Sequence, residues 1–282
     1  MNRSTIAVRR WASVHALVLV LVIAVQRTGP VAFAATFDGH SGLNTNWSTP
    51  TNWIGNVIPT SGSPNLEVIL GTSATTTHLI SNQDLAAPFE LQRLKLPNGS
   101  TNAPRTVNGS PLAFSNLGDA PSIVSDDFLF HELTINNDVV LNAELTISPP
   151  GITPSISQYS LNVAISGVGG LRQTRGGRVF LGGMTANTYA GLTVVDDGVL
   201  HLNKPASVVA IPGDVVINTG GSTRSLRGSV RVGNDNQIAV GAGASRPPQT
   251  VSTTKVLACS NSASPSGSSA KIQPVSTCSI AP

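Results

Sequence analysis

Two pairs of adjacent carboxylates, Asp126-Asp127 and Asp196-Asp197, are the side chains of this sequence best suited by type to chemistry. Clustered carboxylates can hold calcium, or divide the roles of acid and base at a glycosidic bond. Neighbours along a strand point to opposite faces, so either pair converges only where the backbone bends. Asp196-Asp197-Gly198 reads first as a turn, which Asp-Gly favours. His40, His78, His131 and His201 stand singly among strands and loops, none in a metal-ligand pattern, and are expected to be structural. Gly167-Val168-Gly169-Gly170 lacks the Gly-Lys-Ser/Thr that completes a phosphate loop, and no Gly-x-Ser-x-Gly elbow occurs. Trp47 and Trp53 could stack on sugars, but two Asn-Trp pairs closed by Ile58-Pro59 suit a packed cap better. The expectation is a protein with no catalytic residues, no cofactor and no metal.

The elements that would have to position such groups are strands. Charged residues are 11% of the 282, against roughly a quarter in ordinary soluble domains. Short period-two runs recur, bounded by Gly, Asn and Asp: Phe89 to Leu96, Val139 to Ile147, Arg178 to Leu181, Leu192 to Val195, Val199 to Leu202 and Val215 to Asn218. Asn98-Gly99, Asn108-Gly109 and Asn136-Asn137 read as turns between runs. No stretch after the N-terminal apolar run holds a helical period for three turns. Strands this short and evenly spaced fit a solenoid, in which each coil stacks parallel on the last. The fold expected is all-β, a right-handed parallel β-helix, with a β-sandwich as the alternative.

The ends have a different character. Basic residues Arg3, Arg9 and Arg10 precede the apolar run Ala16 to Val25, and Ala32-Phe33-Ala34 supplies a small-residue cleavage site. This is the three-part secretory signal, its apolar run too short to span a bilayer. The expected organisation is a signal peptide over 1–34, an Asn/Trp-rich cap over 35–64, rungs over 65–243 and a disordered low-complexity tail over 244–282. Cys259 and Cys278, both in that tail, could form a single disulfide. The expected localisation is secreted or at the cell surface, with no integral membrane segment after cleavage. The near-neutral mature chain excludes an electrostatic surface for nucleic acid.

One stretch carries a resemblance. Gly167-Val168-Gly169-Gly170-Leu171, then Phe180-Leu181-Gly182-Gly183, then Asn187-Thr188-Tyr189-Ala190-Gly191-Leu192-Thr193-Val194, then Gly198-Val199-Leu200-His201-Leu202 run in order over residues 165–204. This resembles the autotransporter-associated β-strand repeat. The matching positions are Gly167, Gly169, Leu171, Gly182, Asn187, Thr188, Tyr189, Gly191, Val194, Gly198, Leu200 and Leu202. The sequence departs from the repeat at Arg172-Gln173-Thr174-Arg175-Gly176, where Lys-x-Gly is usual. The strands and terminal aromatic of an outer-membrane barrel are also missing before Pro282. The resemblance implies an exported passenger-type spacer or adhesin, short or truncated, without catalysis, whose partners would be glycans or cell-surface components. The alternative is a carbohydrate-binding or polysaccharide-degrading β-helix.

Overall fold

The structure, a computed structural model, describes residues 33–40, 44–98, 103–126, 131–152, 155–218, 228–239 and 244–245. The chain coils into a parallel β-solenoid of about six turns, with almost no helix. Three sheets run along it. Face 1 stacks Ala34–Phe37, Glu67–Leu70, Arg93–Leu96, Ser122–Ser125, Leu145–Ser148, Leu171–Gln173, Thr193–Val195, Val215–Ile217 and Ala244–Ser245. Face 2 stacks Leu79–Gln83, Arg105–Gly109, Glu132–Ile135, Gln158–Leu161, Arg178–Leu181, Val199–Leu202 and Ser229–Val232. Face 3 has Phe89–Leu91, Leu112–Phe114, Val139–Leu141 and Ile165–Gly167. All described strand pairs within these sheets are parallel; the antiparallel pair Gly151–Ile152 with Ser155–Ile156 and the isolated antiparallel Phe37–Trp53 bridge are local excursions.

Most strands alternate buried and half-exposed residues, so the period-two pattern becomes columns of like side chains running along the axis. On face 1 the inward column is Ala35, Val68, Leu94, Ile123, Ile147, Gln173, Val195 and Ile217. On face 2 it is Ser81, Val107, Ile135, Leu161, Leu181, Leu202 and Val232. Each fully buried aliphatic in such a column contributes about 1.5–3 kcal/mol of transfer free energy. Residue separations between hydrogen-bonded neighbours in adjacent coils fall from 29 at Arg93–Ser122 to 22 at Asp196–Asn218, and return to 31 at Gly198–Ser229, so the coils before the last are the tight ones.

Two sequence expectations change at corners. The runs Phe89 to Leu96 and Val139 to Ile147 are each two strands on different faces, because Gln92 and residues 142–144 turn the chain between face 3 and face 1. Asn108-Gly109 is not a turn; both residues close the strand Arg105–Gly109.

The Asn-Trp region packs at one end of the stack. Phe37, Trp53, Trp47 and Phe89 form a chain of edge-to-face rings with centroids 5.2–5.5 Å apart. Trp53 Nε1 donates to the Trp47 carbonyl at 2.7 Å, and the buried Asn52 amide donates to the Asn46 carbonyl at 2.9 Å. Both tryptophans are buried and offer no ring face to a sugar. The expected signal peptide, except Phe33 and Ala34, and both cysteines lie outside the described residues. So does the expected tail, except Ala244–Ser245, which add a last pairing to face 1.

Candidate functional site

The residues of the repeat motif are spread around the coil, and Asn187 marks the corner between faces 2 and 3. Asn187 is buried there and joins three coils: its Oδ1 accepts from the Ile165 amide at 3.0 Å, and its Nδ2 donates to the Ala210 carbonyl at 2.8 Å. Thr188 and Ala190 donate their amides to the Ile165 and Gly167 carbonyls, continuing face 3 as ladder bonds. Tyr189 is buried, its hydroxyl 2.6 Å from Thr193 Oγ1, and burial raises its pKa well above the usual phenol value. Gly169 and Gly191 stack backbone on backbone: a Cβ on Gly191 would lie 2.6 Å from the Gly169 carbonyl carbon. Gly198 turns the chain at φ +80 towards face 2, where Leu200 and Leu202 join the core. Leu171 and Val194 are likewise buried, and Gly182 lies under the Asn162 amide. These are rung-building roles. An amide ligand to backbone repeats elsewhere at this corner, in Gln83 and Asn137, both of which donate to the Ser110 carbonyl.

The described carboxylates of the two pairs, Asp126, Asp196 and Asp197, do not assemble a site. Asp126 lies 2.9 Å from Lys95 Nζ, which also reaches Glu67 at 3.3 Å. Burial opposes the Lys95 charge, but Asp126 and Glu67 outweigh it and raise its pKa. Asp127 lies outside the described residues. Asp196 takes Arg172 at 2.7 Å and Asn218 at 2.5 Å on the outside of face 1. Arg172 also bonds Glu144 at 2.8 Å, and these two partners raise its pKa. Asp197 accepts from the Gly198 amide at 2.8 Å, the turn role expected for Asp-Gly, and burial raises its pKa. The carboxylates thus serve an ion-pair ladder along face 1 and a turn.

The histidines stand apart. His40 is exposed beside Asp38, His78 bonds Thr106 Oγ1 at 2.8 Å, and the His131 ring is buried. His201 stacks flat on Phe180, centroids 4.5 Å apart and planes at 15°. Burial, Arg231 and Arg178 push its pKa down to about 4. No group of three or more His, Cys, Asp or Glu side chains among the described residues could hold a metal ion.

Three features escaped the sequence reading. Register aligns Asn82, Asn108, Asn136, Asn162 and Asn203 in one column at the end of face 2, with Gly182 between the last two. Within it Asn82 donates to Asn46 at 2.9 Å and Asn136 to Asn108 at 2.8 Å. The signal for it was an aliphatic-Asn pair repeated at strand ends: Val107-Asn108, Ile135-Asn136, Leu161-Asn162 and Leu202-Asn203. The second is Lys204, fully buried, whose Nζ donates to the Val163, Gly182 and Thr185 carbonyls at 2.6–2.8 Å. Burial pushes its pKa down to about 8, against a smaller opposing pull from Asp138. The third is the Phe180–His201 stack itself, two outward positions that only register brings together. No family model matches this chain, and no curated protein or solved structure matches it either.

Proposed function

We propose that this chain is an exported structural β-helix protein, a passenger-like spacer or adhesive surface of the autotransporter-associated repeat type, with no catalytic activity. The observation that carries the reading is where the polar groups are spent. Glu67, Lys95, Asp126, Glu144, Arg172 and Asp196 pair with one another across coils, and Asn187 and Lys204 satisfy the backbone of adjoining coils. A stack whose chemistry-bearing side chains tie one coil to the next is suited to length and surface rather than turnover. Export rests on the N-terminal sequence pattern, and the passenger assignment on the motif over 165–204.

The test is expression of the full chain in a bacterial host with a secretory pathway, followed by fractionation and intact-mass measurement. The expected product is an exported protein beginning at Ala35 with β-type circular dichroism, releasing no reducing ends from polysaccharides. A cytoplasmic protein that retains residues 1–34 would sink the export half. Sugar release that tracks the purified protein would sink the structural half.

A further inference from the structure

The outer surface of face 2 changes character along the stack. In its central outward column Thr106, Thr134 and Ser160 occupy three successive coils, followed in register by Phe180, His201 and Arg231. Hydroxyls therefore give way to a stacked aromatic pair and then to a guanidinium. Arg178 lies in the adjacent outward column, one coil before His201. Elsewhere the outward cations are neutralised: Arg93, Lys95 and Arg172 on face 1 each hold a carboxylate. Arg178 and Arg231 have no ion pair among the described residues, although both lie close enough to His201 to disfavour its charge. Two uncompensated cations beside a half-exposed aromatic step are a surface in want of an anion.

We propose that this surface, made by Arg178, Phe180, His201 and Arg231, binds an acidic polysaccharide. Its carboxylate or sulfate groups are taken by the two arginines, and its ring carbons pack on the outward end of the Phe180–His201 stack. Arginine suits both anions because its planar fork donates two parallel hydrogen bonds. The aromatic step supplies apolar area at low conformational cost. The arginines lie two coils apart, on the order of 10 Å along the axis. That separation favours a polymer with repeated charges over a single small anion. The Asn162 and Asn203 amides flank the same step one column over and add neutral donors and acceptors for sugar hydroxyls. The inference deepens the adhesive reading of the scaffold and rests on it.

The experiment uses the full chain on immobilised polygalacturonate, heparin and neutral dextran, with affinities by calorimetry at low salt and duplex DNA as competitor. Retention on either acidic glycan but not on dextran is expected, and which of the two binds separates carboxylate from sulfate recognition. Arg178→Gln with Arg231→Gln should weaken binding by about tenfold or more, as loss of charge-assisted hydrogen bonds predicts. Phe180→Thr places the residue already present at positions 106 and 134 of the same column, so it should fold and still lose affinity severalfold. Arg172→Gln removes one charge from face 1 and should leave binding unchanged. Bound glycan should also raise the His201 pKa, read by NMR, because an anion shields it from Arg178 and Arg231. Equal loss in Arg172→Gln, or equal competition by DNA, would mean diffuse electrostatics and overturn the site. An exported, folded, β-type protein that binds neither acidic glycan overturns the ligand alone and leaves the scaffold role standing.

Discussion

Lys204 is a cation in the core with no carboxylate in contact among the described residues, its ammonium held by three backbone carbonyls. Such a group stabilises by satisfying acceptors at a corner where no amide reaches them, and it resists its own charge. The sign of the pH effect follows. Its folded pKa of about 8 lies below the ordinary lysine value of 10.5, so between these values the unfolded chain binds more protons. Stability should therefore rise as pH goes from about 8 to 10.5, and the contribution should be absent below 8. Lys204→Met would orphan three buried carbonyls and should cost about 1–3 kcal/mol at neutral pH. Urea unfolding at a series of pH values checks both points. An unchanged alkaline rise in Lys204→Met would show that another group is responsible. Arg105, a second buried cation, stands in register between Leu79 and Leu133 and bonds the Leu70 carbonyl, and burial lowers its pKa.

A strand here is two to five residues long, and what sets its place is the corner before it. Gly169, Gly191 and Gly213 occupy equivalent corner positions in three consecutive coils, yet they differ in clearance. A Cβ on Gly191 would meet the Gly170 amide nitrogen at 2.5 Å, whereas one on Gly213 finds nothing closer than 3.8 Å. Backbone cannot yield as a side-chain tip can. Gly191→Ala should thus destabilise by about 3 kcal/mol or more. Gly213→Ala should be neutral or gain up to about 1 kcal/mol from the restricted unfolded chain. Thermal melts of the two variants decide it, and similar losses in both would refute the close-approach argument. These elements were also the most legible part of the sequence. Alternating Val, Leu and Ile between Gly and Asn mark strands wherever the chain folds, because one buried face per strand is a local demand. The corner at Gln92 left a local mark, since the apolar residues fall at 89, 91, 94 and 96 and the period-two phase slips by one where Leu91 and Gln92 are both buried. The Phe180–His201 step and the Lys204 cage were illegible because each is made by register between coils.

At the scale of the molecule, stability is nearly a sum over neighbouring coils, because each coil contacts chiefly those on either side. The tight coils permit a direct test of that statement. Leu171 pairs with Thr193 on face 1, so removing residues 171–192 joins Gly170 to Thr193 with the register of faces 1 and 2 intact. Gln158–Leu161 then lies against Val199–Leu202, continuing the inward sequence Leu161 to Leu202. The shortened chain loses the Asn187 and Tyr189 contacts and should melt at a lower temperature, but it should keep β-type circular dichroism and a cooperative transition. Removing residues 171–193 instead shifts every following side chain by one. Val195 would then face solvent and Asp196 the core, the inversion that a single-residue slip imposes on a half-buried strand. That second deletion should lose cooperative folding beyond the junction. Equal melts for the two deletions would mean that coil register does not hold this molecule together. A collapse of both would mean that the stack folds only as an indivisible whole.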